Sequence, residues 1–203
     1  MSITRFATQN CAVEWGYVSG KAYSDPFNQV ELDVIFRDGE GHEWKVPAFW
    51  AGEQEWRVRF APPRTGRYTF VTICSDPGNP ALHGQEGSLQ VAPYEGSNPL
   101  LKHGPLRVHA SKRYLEHADG KPFFWLGDTW WMGLCKRLSW PDDFQLLVAD
   151  RVSKGFTVIQ IVAGLYPDMP AFDERGFNEA GHPWESGYAR INPAYFDAAD
   201  LRL

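Results

Sequence analysis

Apolar and polar positions alternate through much of the first ninety residues. Val30, Leu32, Val34 and Phe36 alternate with Glu31 and Asp33, the period of a half-buried strand. Asp38-Gly39 supplies turn chemistry ahead of Trp44 and Val46. Trp56, Val58 and Phe60 alternate with Arg57 and Arg59, which predicts one apolar face and one cationic face. Pro62-Pro63 and Gly66 punctuate the next turn, Tyr68 and Phe70 resume the pattern, and Leu89 and Val91 close it. Short strands at this spacing predict an all-β, antiparallel sandwich over residues 1–93, immunoglobulin- or fibronectin-like in architecture.

The pattern then changes. Residues 94–104 are rich in turn formers and read as a linker. Leu106 to His109 and Tyr114 to His117 predict short strands, and Asp119-Gly120 turns the chain into the apolar run Phe123-Phe124-Trp125-Leu126. Such a run predicts a strand buried on both faces, as parallel sheets require. Ser139, Pro141 and Asp142 sign a helix start, Phe144, Leu147, Val148 and Val152 share its apolar face, and Gly155 stops it. A second strand follows at Phe156 to Val162. After a long loop from Ala163 to Ile191, Asn192-Pro193 opens another helix carrying Tyr195, Phe196 and Leu201. Strand, helix, strand in this order predicts a parallel pair. The expected fold is therefore two-domain: the sandwich at 1–93, the linker at 94–104, and at 105–203 an incomplete α/β segment of TIM type. A full barrel takes roughly 250 residues, so this last part is expected to be only its first quarter.

Composition narrows the class. The chain is 43% hydrophobic and 15% aromatic with nine tryptophans, enough for real cores. Its formal charge of −5, with no Lys/Arg cluster, argues against a nucleic-acid surface. No apolar run approaches the ~20 residues of a membrane span. Met1-Ser2-Ile3-Thr4-Arg5-Phe6 lacks a basic segment followed by an apolar one, so the default location is cytoplasmic; a clipped N-terminus would make it extracytoplasmic. Cys11, Cys74 and Cys135 give no disulfide framework, and neither they nor the six histidines show zinc-like spacing. No phosphate-cradling glycine motif is present, and no metal or cofactor is expected.

Candidate binding residues cluster where the expected strands end. Gly127 breaks the apolar run and Asp128, Thr129, Trp130 and Trp131 follow at once, at the end of a barrel strand where substrates bind. Asp128 is expected either to accept hydrogen bonds from sugar hydroxyls or to pair with an arginine as a structural cap. Trp130 and Trp131 are candidates for stacking on a sugar ring, one of them alternatively packing beneath the loop. Gln160, inside the second strand, needs a hydrogen-bond partner in a ligand or a neighbouring strand. Tyr166 and Trp184 are aromatics of the long loop, either ligand contacts or anchors of the loop's own core. The loop acids, Asp168 and Glu185 among them, read as a solvated face rather than a catalytic pair.

Asp119 to Thr129, Arg151-Val152-Ser153-Lys154-Gly155-Phe156, the Gln160 to Asp168 segment, and Asn192-Pro193 with Tyr195-Phe196-Asp197 are similar to the opening of the apiosidase-like glycoside hydrolases. The N-terminal part resembles the uncharacterised β-sandwich that often precedes such a domain, through Phe49-Trp50-Ala51-Gly52, Trp56 to Phe60 and Pro63-Arg64-Thr65-Gly66. The resemblance implies a (β/α)₈ glycosidase acting on plant-type polysaccharide side chains through two carboxylates. In the family these lie on later strands, so no residue here matches them, and the truncated chain is expected to be inactive alone. The expected partner is a carbohydrate ligand, with no nucleic acid and no membrane; oligomeric state is not legible. The alternative is a non-catalytic carbohydrate-binding or protein-interaction sandwich with a vestigial barrel segment.

Overall fold

The computed structural model describes residues 3–203. Met1 and Ser2, part of the stretch read for a secretion signal, lie outside the described residues. The chain forms two compact units, the first ending at Phe123 and the second comprising Phe124–Leu203.

In the first unit the strands are β1 (Ile3–Thr8), β2 (Val13–Val18), β3 (Leu32–Asp38), β4 (Glu43–Pro47), β5 (Phe49–Gly52), β6 (Glu55–Phe60), β7 (Gly66–Cys74) and β8 (Glu86–Ala92), with a one-turn helix α1 (Pro26–Gln29) before β3. They build a five-stranded sheet in the order β1-β8-β7-β3-β4 and a three-stranded sheet in the order β2-β6-β5. The inward residues of both sheets share one core: Val34, Phe36, Tyr68, Phe70, Leu89 and Val91 from the larger, Trp15, Val58 and Phe60 from the smaller. Phe36 and Phe60 stack across it with ring centroids 4.2 Å apart. The alternating runs thus fold as their period dictates, Leu32, Val34 and Phe36, Trp56, Val58 and Phe60, and Tyr68 and Phe70 turning inward. Tyr68 clamps the turn ahead of its own strand, its hydroxyl donating to the Arg64 carbonyl and accepting from the Arg64 N–H.

The pairing is not wholly antiparallel as expected, because β1 runs parallel to β8 from Ile3↔Gly87 to Thr8↔Ala92. After β8 come the one-turn helix α2 (Pro99–Lys102), capped by the Asn98 side chain, and a small antiparallel sheet of β9 (Leu106–Val108), β10 (Leu115–His117) and β11 (Pro122–Phe123).

The second unit contains β12 (Gly127–Trp130), α3 (Asp142–Ser153), β13 (Val158–Ile161) and α4 (Pro193–Asp200). The two strands pair in parallel, Gly127↔Val158 to Trp130↔Ile161. The expected TIM-type barrel segment is not what forms: this is a two-stranded ribbon with few helices, neither closed nor part of a larger sheet. The physical reason lies in the apolar run. Phe124 and Trp125 are 73% and 59% exposed and lie outside any strand, so they cannot be the doubly buried layer a barrel needs. Thr157 instead ties the run down, its hydroxyl donating to the Phe124 carbonyl at 2.6 Å. The strand starts one residue after Leu126 and lasts four residues.

α3 also departs from its expected face. Phe144 is buried and Leu147 half-buried, but Val148 and Val152 are exposed. It begins at Asp142 with Pro141 in the cap position, while Ser139 donates to the Asp143 carboxylate. The core of this unit is Leu134, Tyr195 and Ala199, with Ile161 and Phe196 packed against it. Arg202 is fully buried beside that core. It donates to the carbonyls of Gly133, Cys135 and Leu138 and forms a two-point pair with Glu179. No helix among the described residues is long and apolar enough to cross a membrane.

Candidate functional site

Asp128 follows Gly127 on β12, and its carboxylate is fully engaged within the unit. Oδ1 accepts from the Thr129 N–H, and Oδ2 accepts from the Trp130 indole at 2.9 Å and from Arg151 Nε at 2.6 Å. The Arg151 guanidinium, and after it the Trp130 indole, hold this carboxyl below its ordinary range. Trp130 is buried and meets Phe144 edge-on at 5.6 Å, so it is the indole that packs beneath. Trp131 is 45% exposed. Gln160, expected in the interior of a sheet, is exposed on β13.

The long loop contains the cavity. Between β13 and α4 it folds as two 3₁₀ turns, Glu174–Gly176 and Ser186–Tyr188, with bridges at Asn178↔Gly181 and Trp184↔Ile191. Asparagines order it. The buried Asn178 donates to the Tyr195 carbonyl and accepts from the Ala180 N–H. Asn192 stands at the cap position of α4, but its amide donates to the carbonyls of Ala180 and His182, clamping the loop rather than the helix.

The cleft so formed has a volume of about 210 Å³ and is lined by Tyr166, Phe172, Trp184 and Tyr188, with Asp173 and His182. Phe172 and Tyr188 lie 4.9 Å apart, Phe172 and His182 5.5 Å, and Trp184 and Tyr188 6.2 Å. Both Phe172 (φ 61°) and Tyr188 (φ 60°) adopt the left-handed conformation, which costs a bulky residue on the order of 1–2 kcal/mol. Such strain concentrates at ligand sites. Glycines provide the close approach: a Cβ on Gly176 would sit 3.0 Å from the Tyr166 ring, and Gly164, at φ +121°, lies under the Trp184 indole.

Polar groups are few and fixed. Tyr166 is buried, its hydroxyl 2.5 Å from that of Tyr195, and burial followed by this bond pushes its phenol far above the usual range. Asp173 caps the first 3₁₀ turn through the Arg175 N–H and takes two further bonds from the Arg175 guanidinium. That guanidinium is the main cause of a carboxyl pKa lowered to about 2. Burial lowers the His182 imidazole below its ordinary 6.5.

Of the six candidate residues, the cleft gathers Tyr166 and Trp184 and leaves out Asp128, Trp130, Trp131 and Gln160. Phe172, Asp173, His182 and Tyr188 also line it. Their sequence signal was membership of a long aromatic-rich loop, which does not say which rings converge. Three further loop acids are held by arginines, Asp168 by Arg137, Glu179 by Arg202 and Glu185 by Arg190, while Glu174 is exposed.

In the first unit Asp38, Glu40 and His42 bring ligand-type atoms within 4.8 Å of one another, an arrangement that residue spacing did not suggest. They are occupied in the turn, however. Asp38 accepts from the N–H groups of Glu40 and His42, and Glu40 pairs with Arg64.

Comparison with known proteins supplies the kinship. Residues 109–203 match the family model for the apiosidase-like catalytic domain, and residues 3–75 match that of a domain of unknown function, DUF5060. Residues 109–203 are thus similar to the apiosidase-like catalytic domain. The apiosidase-like segment holds the whole second unit, and with it the loop cleft and the ion pair of Asp128. Over 98% of its length the chain overlays, with a TM-score of 0.71 and 22% identity, on 38% of a protein from Bacteroides vulgatus ATCC 8482 whose name places it provisionally among the glycoside hydrolases. The likeness is one of fold, and the chain spans 38% of that protein's length. Auracyanin B (16% identity, 44% of this chain and 77% of that one, TM-score 0.26) and a PapD-like domain of human CEP192 (13%, 47% and 82%, 0.21) overlay too poorly to carry an argument. No curated protein matches the sequence.

Proposed function

We propose that the chain serves a glycoside hydrolase acting on plant-type polysaccharide side chains, and that its own part is to hold the carbohydrate. The observation that carries this is the aromatic cleft of the long loop, set within the apiosidase-like segment. Sugar rings present apolar C–H faces and a rim of hydroxyls. Phe172, Trp184 and Tyr188 offer flat apolar partners, and Asp173 and His182 offer acceptors at the edge.

Glycoside cleavage needs one carboxyl kept protonated as an acid and a second placed across the scissile bond. Four of the five loop acids suit neither role, because Asp168, Asp173, Glu179 and Glu185 are each bound to an arginine; the fifth, Glu174, is exposed. That pairing also favours a second reading, in which the chain is a carbohydrate-binding protein without turnover.

The 203-residue chain is to be assayed against aryl glycosides and pectic oligosaccharides for both retention and release. Retention of an oligosaccharide without release supports the proposal. Release that survives repurification overturns the assignment of a purely holding role, and failure to retain any saccharide overturns the whole.

A further inference from the structure

Size, polarity and charge narrow what the loop cleft accepts. We propose that it is a subsite for one neutral sugar residue, in which Asp173 accepts a hydrogen bond from a hydroxyl, and that it rejects the corresponding uronate. The inference rests on the carbohydrate reading above and adds a charge preference to it.

The volume comes first. About 210 Å³ is below the roughly 300–1,000 Å³ of pockets that enclose drug-sized ligands, so the cleft takes one ring rather than an oligosaccharide. Its walls are aromatic, and the exposed faces of Phe172 and Tyr188 leave room for a ring to lie against them.

Charge then decides between sugars. Apart from its tyrosines, the cleft is lined by two ionisable side chains, Asp173 and His182. The first is an anion throughout the neutral range, and burial keeps the second in its uncharged form at pH 7. Arg175 does not line the cleft, and its Nε and Nη2 are spent on Asp173. Asp173 Oδ1 already accepts from the Arg175 N–H and Nε, but Oδ2 accepts only from Nη2 and keeps a second lone-pair site for a hydroxyl donor; a bond to an ionised acceptor is stronger than a neutral one. A uronate carboxylate in the same place would face Asp173 with no cation lining the cleft among the described residues, and like charges at that range repel.

The test uses sugar pairs that differ only in oxidation at C6: methyl glucoside against methyl glucuronide, and methyl galactoside against methyl galacturonide. Affinities are measured by ligand-observed NMR at pH 7 on the native chain. The neutral member of each pair is expected to bind about tenfold tighter or more. Asp173→Asn keeps the cap of the 3₁₀ turn and releases Arg175, so the preference should vanish or reverse. Arg175→Ala removes the compensating cation and should widen it, a second readout should the first variant fold poorly.

Equal affinity for both members in the native chain, or a preference untouched by both substitutions, overturns the inference. Neutral binding that survives Trp184→Ala overturns the location while leaving the broader carbohydrate reading intact. Absence of binding by every sugar overturns both.

Discussion

Arg151 on α3 reaches Asp128 on β12, its Nε 2.6 Å from the carboxylate that also receives the Trp130 indole. One acid thus joins the helix, the strand and the buried tryptophan of the parallel ribbon. The position that sequence reasoning offered to a sugar hydroxyl is filled by an arginine.

Asp128→Asn should therefore act on stability. The amide keeps the shape but only one acceptor oxygen, so it retains either the bond from Thr129 or those from Trp130 and Arg151, and the charge assistance to Arg151 is lost. Thermal unfolding should show a melting temperature lower by a few degrees. Combined with Arg151→Gln, the loss should be smaller than the sum of the two single losses, because both remove the same contact. Strict additivity would show that the pair does not couple.

Arg202 should be among the most sensitive positions of the second unit. Its side chain is wholly buried, and its removal strands the carbonyls of Gly133, Cys135 and Leu138 together with Glu179. Arg202→Ala is expected to cost about 2–4 kcal/mol in urea unfolding. A change within error would mean that water replaces the guanidinium without penalty.

Tyr166 and Tyr195 share one buried hydroxyl contact. Tyr166→Phe leaves the partner hydroxyl unsatisfied and should cost roughly 1–3 kcal/mol. Removing both hydroxyls leaves no orphan, so the double variant should be more stable than the sum of the singles implies, as a double-mutant cycle would show.

Much of the first unit was legible because β3, β4, β6, β7 and β8 each bury one face, and burial on one face writes period two into the sequence. β1 escaped notice for the opposite reason, whereas in β2 Val13, Trp15 and Tyr17 do alternate toward the core and their signal was passed over. β1 is an edge strand whose Phe6 is exposed, so its apolar residues carry no alternation tied to a core. Phe123 to Leu126 misled because an apolar run reports hydrophobicity, not whether a neighbouring strand exists to bury it. The long loop was legible as a place of interest, and Tyr166 and Trp184 with it. The convergence of Phe172 and Tyr188 depends on two left-handed backbone turns that no side-chain pattern announces.

Acid should weaken the loop through Asp173. Its carboxyl titrates at about 2 when folded against an ordinary 3.8, so the folded state binds its proton less readily than the unfolded state. The stabilisation is present above the unfolded value and is lost as the pH falls from about 4 through about 2. Asp173→Asn should flatten this part of the stability–pH curve, and carbon-detected NMR titration should place the carboxyl well below its neighbours. A native curve identical to that of the variant would show that Arg175 gives no net support.

The most direct test of carbohydrate recognition at the loop is a chemical-shift map of the 203-residue chain titrated with pectic oligosaccharides. The indole N–H of Trp184 and the signals of Phe172, Asp173 and Tyr188 should move together and saturate at one affinity, while those of Trp131 and Gln160 stay still. Saturable shifts confined to residues outside the loop, or no shifts at any saccharide concentration, would contradict it.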